Sequence, residues 1–133
     1  MHDYDDTWIF IQARFNSTRL KGKVLKRLSG KKLLKWVVDR ARNISPSMKL
    51  AILTGNSYED QLIIDWCNKE KINCFKGPEN DVLDRFVKAA KYYNAKTIIR
   101  LTADNPLFDF NFAKTLLIIH ILEKATYSSS KNE

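Results

Sequence analysis

The sequence predicts an α/β domain with a largely parallel sheet. Short apolar runs at residues 7–13, 50–54, 72–75 and 97–102 alternate with amphipathic stretches. Gly, Pro, Asn or Ser marks most of the changeovers. Strands so continuously apolar suit burial on both faces. Right-handed crossovers then collect the loops that follow the strands on one edge of the sheet. In such sheets ligands sit beyond the strand C-termini, where strand order reverses.

The first run, residues 7–13, mixes β-branched, aromatic and aliphatic side chains and reads as a buried strand. Val24, Leu25 and Leu28 follow a basic loop, and Ser29-Gly30 marks a turn. Residues 31–43 place Leu33, Leu34, Val37, Val38 and Ala41 on one helical face, and Ser45-Pro46-Ser47 ends that helix. After the second strand, Asn56 or Ser57 can cap a helix with Glu59 and Asp60 in its first turn and Leu62, Ile63 and Trp66 inward. A third strand ends at Lys76-Gly77-Pro78. Residues 81–93 then read as a helix burying Val82, Leu83, Phe86, Ala89, Ala90 and Tyr93. A fourth strand closes at Ala103-Asp104-Asn105-Pro106, and a last helix is expected over about residues 109–123.

At 133 residues one domain is expected, 7–133, preceded by a polar tail, 1–6. That tail is acidic, unlike a signal peptide, and residues 116–122 are too few to span a bilayer, so a soluble cytoplasmic protein without a membrane partner is expected. Cys67 and Cys74 match neither a metal-ligand spacing nor a disulfide framework and read as free thiols. His2 and His120 have no partner that suggests catalysis, and Trp8, Trp36 and Trp66 sit in apolar patterns that read as core.

The net charge of +8 is unevenly placed: residues 14–38 hold nine Lys/Arg and no Asp or Glu. An anionic partner follows from that asymmetry. Within ten residues the loop after the first strand gathers Arg14, Ser17, Thr18, Arg19, Gly22 and Lys23. Arginine offers a planar fork to phosphate oxygens, lysine a mobile point charge, and glycine a close backbone approach. A solvated basic loop would show the same charges, so charge alone leaves both readings open. Neither the P-loop spacing nor Gly-x-Gly-x-x-Gly is present, so a phosphate site here must rely on side-chain cations. Asp104, at the end of the fourth strand, suits a Mg2+ ligand facing such a loop, though on the residues alone an Asx-type turn is the better reading. Asp84-Arg85, taken alone, reads as an exposed pair. A nucleic-acid binder is the weakest anion-binding alternative, since basic–aromatic interleaving is missing.

Three stretches together resemble the cytidylyltransferases of CMP-activated acidic sugars, the acylneuraminate and 3-deoxy-manno-octulosonate enzymes, and most of all the SpsF-type spore-coat polysaccharide branch. They are Ile11-Gln12-Ala13-Arg14 through Ser17-Thr18-Arg19-Leu20-Lys21-Gly22-Lys23-Val24-Leu25, then Gly77-Pro78-Glu79-Asn80-Asp81-Val82-Leu83-Asp84-Arg85-Phe86, then Ile99-Arg100-Leu101-Thr102-Ala103-Asp104-Asn105-Pro106-Leu107. The resemblance implies a Rossmann-like nucleotidyltransferase fold, a three-layer sandwich, here as the N-terminal part of a longer nucleotide-binding domain. It implies transfer of CMP from CTP to an acidic or related sugar, with release of pyrophosphate, in surface polysaccharide or glycan biosynthesis. Arg14, Ser17, Arg19, Gly22 and Lys23 would bind the CTP triphosphate, Arg14 and Lys23 acting catalytically. Asp81 and Arg85 would lie near the nucleotide, and Asp104 would bind Mg2+. A sugar hydroxyl would attack the α-phosphorus in line, and the full-length protein would be a homodimer. Lys21 stands where the family motif commonly has proline, and Phe15-Asn16 where many members have small residues. An inactive CTP- or partner-binding fragment and a nucleotide-sugar glycosyltransferase-like protein are the alternatives.

Overall fold

The computed structural model describes residues 6–16, 21–44, 48–78 and 81–103. Four parallel strands form the main sheet: β1 (Thr7–Gln12), β4 (Lys49–Thr54), β5 (Asn73–Lys76) and β6 (Thr97–Thr102), in the spatial order β5-β4-β1-β6. The short strands β2 (Arg27–Leu28) and β3 (Lys31–Lys32) pair as an antiparallel hairpin, and the helices are α1 (Leu33–Ala41), α2 (Gln61–Glu70) and α3 (Val82–Tyr93). The last predicted helix, over residues 109–123, lies outside the described residues.

Side-chain alternation along β1 divides the core in two. Ile9, Ile11 and Ala13 join Leu50 and Ile52 of β4 in one cluster, which also takes Leu34, Val37, Val38 and Ala41 of α1 and Ile63, Trp66 and Cys67 of α2. Trp8 and Phe10 join Ala51 and Leu53 in a second cluster with Phe86 and Ala89 of α3. The sheet is therefore the middle of three layers. The chain order explains this: β1 to β4 to β5 steps one way across the sheet, and β5 to β6 returns past both. Crossovers of one hand put helices on opposite faces when the direction of travel reverses.

Several local expectations are corrected. The helix predicted from residue 31 begins at Leu33, because Ser29 and Gly30 both take positive φ (52° and 92°) and fold 27–32 into a two-residue hairpin. Leu62 and Leu83, expected inward, are 50% and 75% exposed. In α2 the buried face is Ile63, Trp66 and Cys67; in α3 it is Arg85, Phe86 and Ala89. Trp8 and Trp66 are core, whereas Trp36 is half-buried and its indole donates to the Leu28 carbonyl at 2.6 Å. Cys67 and Cys74 are free thiols brought together beneath α2; the hydrogen bond to Cys74 and burial push the Cys67 thiol up, so it stays protonated. No helix among the described residues is long and apolar enough to cross a membrane.

Candidate nucleotide-binding site

Strand order reverses at β1, which pairs with β4 on one side and β6 on the other. The crevice beyond the C-termini of β1 and β6 is thus the switch point where such sheets bind ligands. The parallel ladders continue one residue past the strands on both sides. Ala13 donates to the Leu53 carbonyl at 2.9 Å, and Ala103 to the Gln12 carbonyl at 2.9 Å. The basic loop leaves β1 at that crevice.

The Gly22 N–H donates to the Phe15 carbonyl at 2.8 Å and closes the loop into a neck. Half-buried Arg14 and Lys23 lie immediately outside that bond, one on each side. Gly22 is required twice over. Its φ of +73° is in the left-handed region, and a Cβ there would come within 2.9 Å of Phe15 Cζ. A 3-10 turn, Lys23–Leu25, follows, and buried Val24 fastens it to the core. Ser17 and Arg19 lie outside the described residues, and so does Asp104, the residue after Ala103.

The loop is also held from the β4–α2 turn, a connection that the sequence reading assigned only to helix capping. The Asp60 carboxylate is 1% exposed; it accepts from the Phe15 N–H at 2.8 Å and the Ser57 N–H at 3.4 Å. Ser57 Oγ accepts from the Asp60 N–H at 3.2 Å, which completes a reciprocal box, so the expected Ser57 cap acts on the turn just ahead of α2. Beside it, Glu59 accepts from Asn16 Nδ2 at 2.8 Å and pairs with Lys21 Nζ at 3.3 Å. The hydrogen bond from Asn16, then that from Lys21, holds the Glu59 carboxyl below its ordinary value. An Asp buried 45 residues away in sequence from its partner leaves no local pattern. The only available cue was its place in a turn on the same rim.

Asp81 and Arg85 occupy the rim beyond β5, two strand spacings from β1, roughly 10 Å across the sheet. Asp81 is exposed and caps α3, accepting from the Asp84 N–H at 2.9 Å. Arg85 is fully buried, which overturns its reading as half of an exposed pair; Asp84 pairs with Lys88 at 3.1 Å instead. Arg85 Nε and Nη2 donate to the Pro78 carbonyl at 3.1 and 2.8 Å, so the guanidinium pins the loop after β5. Gly77 makes room for it, since a Cβ there would meet Arg85 Cγ at 2.8 Å. Arg14, Gly22 and Lys23 are therefore brought together, while Asp81 at the N-cap of α3 and Arg85 within α3 belong with a separate loop on the same rim. Among the described residues three buried acceptors on this rim, Gln12 Oε1, Asn16 Oδ1 and Thr54 Oγ1, have no hydrogen-bond partner. No group of three or more His, Cys, Asp or Glu placed to hold a metal occurs among them.

A parallel sheet between helical layers, with a cationic loop at its switch point, defines a Rossmann-like nucleotidyltransferase fold. Comparison with known proteins gives the family. The chain belongs to the cytidylyltransferase family, whose model matches residues 8–133. It is 37% identical over 128 residues to the spore coat polysaccharide biosynthesis protein SpsF of Bacillus subtilis, covering 93% of this chain and 53% of that protein. It is 34% identical over 103 residues to a 3-deoxy-manno-octulosonate cytidylyltransferase of Elusimicrobium minutum, covering 76% of this chain and 40% of that one. A solved cytidylyltransferase structure from Leptospira borgpetersenii superposes with a TM-score of 0.83 at 29% identity, over 90% of this chain and 50% of that chain. The chain spans about half the length of the first curated relatives it matches.

Proposed function

We propose that this chain is the nucleotide-binding part of a cytidylyltransferase that moves CMP from CTP to an acidic or related sugar, with release of pyrophosphate. The observation that carries the reading is the closed basic loop at the β1–β6 switch point, with Arg14 and Lys23 flanking its neck. The names of the relatives supply the direction: spore-coat polysaccharide synthesis and cytidylyl transfer to a 3-deoxy sugar acid.

In this reading Arg14, Arg19 and Lys23 neutralise the triphosphate, Ser17 and nearby backbone amides add hydrogen bonds, and Gly22, whose own N–H is taken by Phe15, keeps the loop closed. Catalysis is then mainly positioning and charge stabilisation. The sugar hydroxyl attacks the α-phosphorus in line, the bond to the β-phosphate oxygen breaks, and the cations hold the charge that builds on the leaving pyrophosphate. Asp104 directly follows Ala103, which is bonded to the end of β1 at the crevice. One carboxylate beside phosphate oxygens is a donor set that Mg2+ accepts, and bound there it would supply further charge neutralisation. Asp81 and Arg85 shape the neighbouring loop on the nucleotide side. The longer protein is proposed to act as a cytoplasmic homodimer.

Isothermal titration with CTP and Mg2+ tests the reading. Lys23→Ala and Arg14→Ala should each weaken CTP by about tenfold or more, the loss expected for one charge-assisted phosphate contact. Absence of heat from the unaltered chain at millimolar CTP and Mg2+ would refute it.

A further inference from the structure

The residues at which the basic loop departs from the family motif share one neighbour. Phe15 gives its N–H to Asp60 and lays its ring where a side chain at residue 22 would go. Asn16 and Lys21, at the two ends of the stretch 16–21, both reach Glu59, at 2.8 and 3.3 Å. Glu59 and Asp60 are consecutive residues of one turn, itself closed by Ser57. Proline at residue 21 would stiffen the loop through its own backbone. This chain has Lys21 there and ties both arms of the loop to a second element instead. Two carboxylates beside a proposed triphosphate site are otherwise unfavourable, since like charges repel.

We propose that Glu59 and Asp60 form a brace that holds the two ends of the basic loop together for phosphate binding, with Glu59 a positioning residue for the triphosphate. The proposal rests on the nucleotide reading above, but its first consequence is independent of it: the two ends of the loop, at Phe15-Asn16 and at Lys21-Gly22, are held together by the brace before any ligand arrives. Asp60 fixes the root of the loop at Phe15, and Glu59 draws its two arms together across the neck made by Gly22 and Phe15. The order is thus supplied before binding, so less is lost when the anion is bound.

The sign of one substitution decides the matter. If Glu59 were merely a nearby acid, Glu59→Ala would remove repulsion, release Lys21 and tighten CTP. If it is a brace, Glu59→Ala weakens CTP despite the gain in positive charge. Glu59→Gln, which removes the charge but keeps an acceptor for Asn16, should fall between Glu59→Ala and the unaltered chain. Titration with CTP and with CMP, each with Mg2+, supplies the comparison. The brace predicts roughly fivefold weaker CTP binding in Glu59→Ala, the scale of one half-exposed ion pair and hydrogen bond. CMP affinity should be unchanged within twofold. Tighter or unchanged CTP binding, or equal loss for CTP and CMP, overturns the proposal.

Amide hydrogen exchange in the ligand-free protein separates this test from failure of the nucleotide reading. The Phe15 and Gly22 N–H groups should exchange roughly fivefold faster in Glu59→Ala, with the amides of β1 and β4 unaffected. Faster loop exchange in a chain that binds no CTP would uphold the brace and refute only the ligand. Unchanged exchange would overturn the brace whatever CTP does.

Discussion

Gly22→Ala would add a Cβ to a residue held at φ +73°, 2.9 Å from the tip of the Phe15 ring. The left-handed backbone alone costs a residue with a Cβ about 1–2 kcal/mol. The ring must also move, and Phe15 packs partly buried against the larger core cluster. Losing part of that contact costs about 1 kcal/mol, at roughly 25 cal/mol per Å2 of apolar surface. The expected total is about 2–3 kcal/mol, or a Tm lower by roughly 6–12 °C for a domain of this size. Urea denaturation followed by tryptophan fluorescence measures it, since Trp8 and Trp66 are both buried. Phe15→Ala provides the internal control. In that background the steric part disappears, so Gly22→Ala should cost only the backbone part, about 1 kcal/mol less than in the unaltered chain. A cost below about 0.5 kcal/mol, or no difference between the two backgrounds, would show that residue 22 does not need its glycine for these reasons.

Arg85→Met keeps most of the buried volume but removes both donors from the Pro78 carbonyl, and should cost about 2–3 kcal/mol in urea denaturation. Acid titration should lose a contribution from Asp39. Burial alone would raise its carboxyl, but hydrogen bonds from Lys31 and Lys35 outweigh that and hold it below its ordinary value of 3.8. The folded group therefore binds its proton less readily than the unfolded one, so the stabilisation is present above the unfolded value and disappears as pH falls through the lowered folded value. Partial exposure limits the effect to about 0.5 kcal/mol, and Asp39→Asn should flatten that part of the stability profile. At the alkaline end, burial pushes the Tyr93 phenol up from 10 to about 12. Here the folded state keeps the proton longer, so stability falls as pH rises from the unfolded value through the folded one. Ultraviolet titration should show a late phenol component that is lost in Tyr93→Phe.

Periodicity was enough for the layers. The alternation in β1 and the face of α1 at Leu34, Val37, Val38 and Ala41 are local patterns, and burial follows them. Periodicity failed where a long-range partner decides. Leu83 fits the inward stripe of α3, yet Arg85 takes the space under Gly77-Pro78 because its guanidinium finds the Pro78 carbonyl there. Lys31 and Lys32 continue the helical pattern of α1, but Ser29 and Gly30 turn the chain and pair them with Arg27 and Leu28 instead. At the site, charge clustering found Arg14 and Lys23, and glycine economy pointed to Gly22. Asp60 stayed hidden because its partner is Phe15, far off in the chain. Ser17, Arg19 and Asp104 lie outside the described residues, so for them the sequence and the family resemblance remain the argument.

The central position of β1 bears on folding as well as on binding. β4 and β5 meet across 22 sequence positions and β1 and β4 across 41, but β1 and β6 across 90. Loop-closure entropy rises with that separation, so the β1–β6 ladder is the contact whose closure costs most and is expected to form last. The crevice proposed for the nucleotide lies between those two strands. It is absent until the longest-range contact is made, and a ligand bound there would stabilise the completed sheet against the loss of β6.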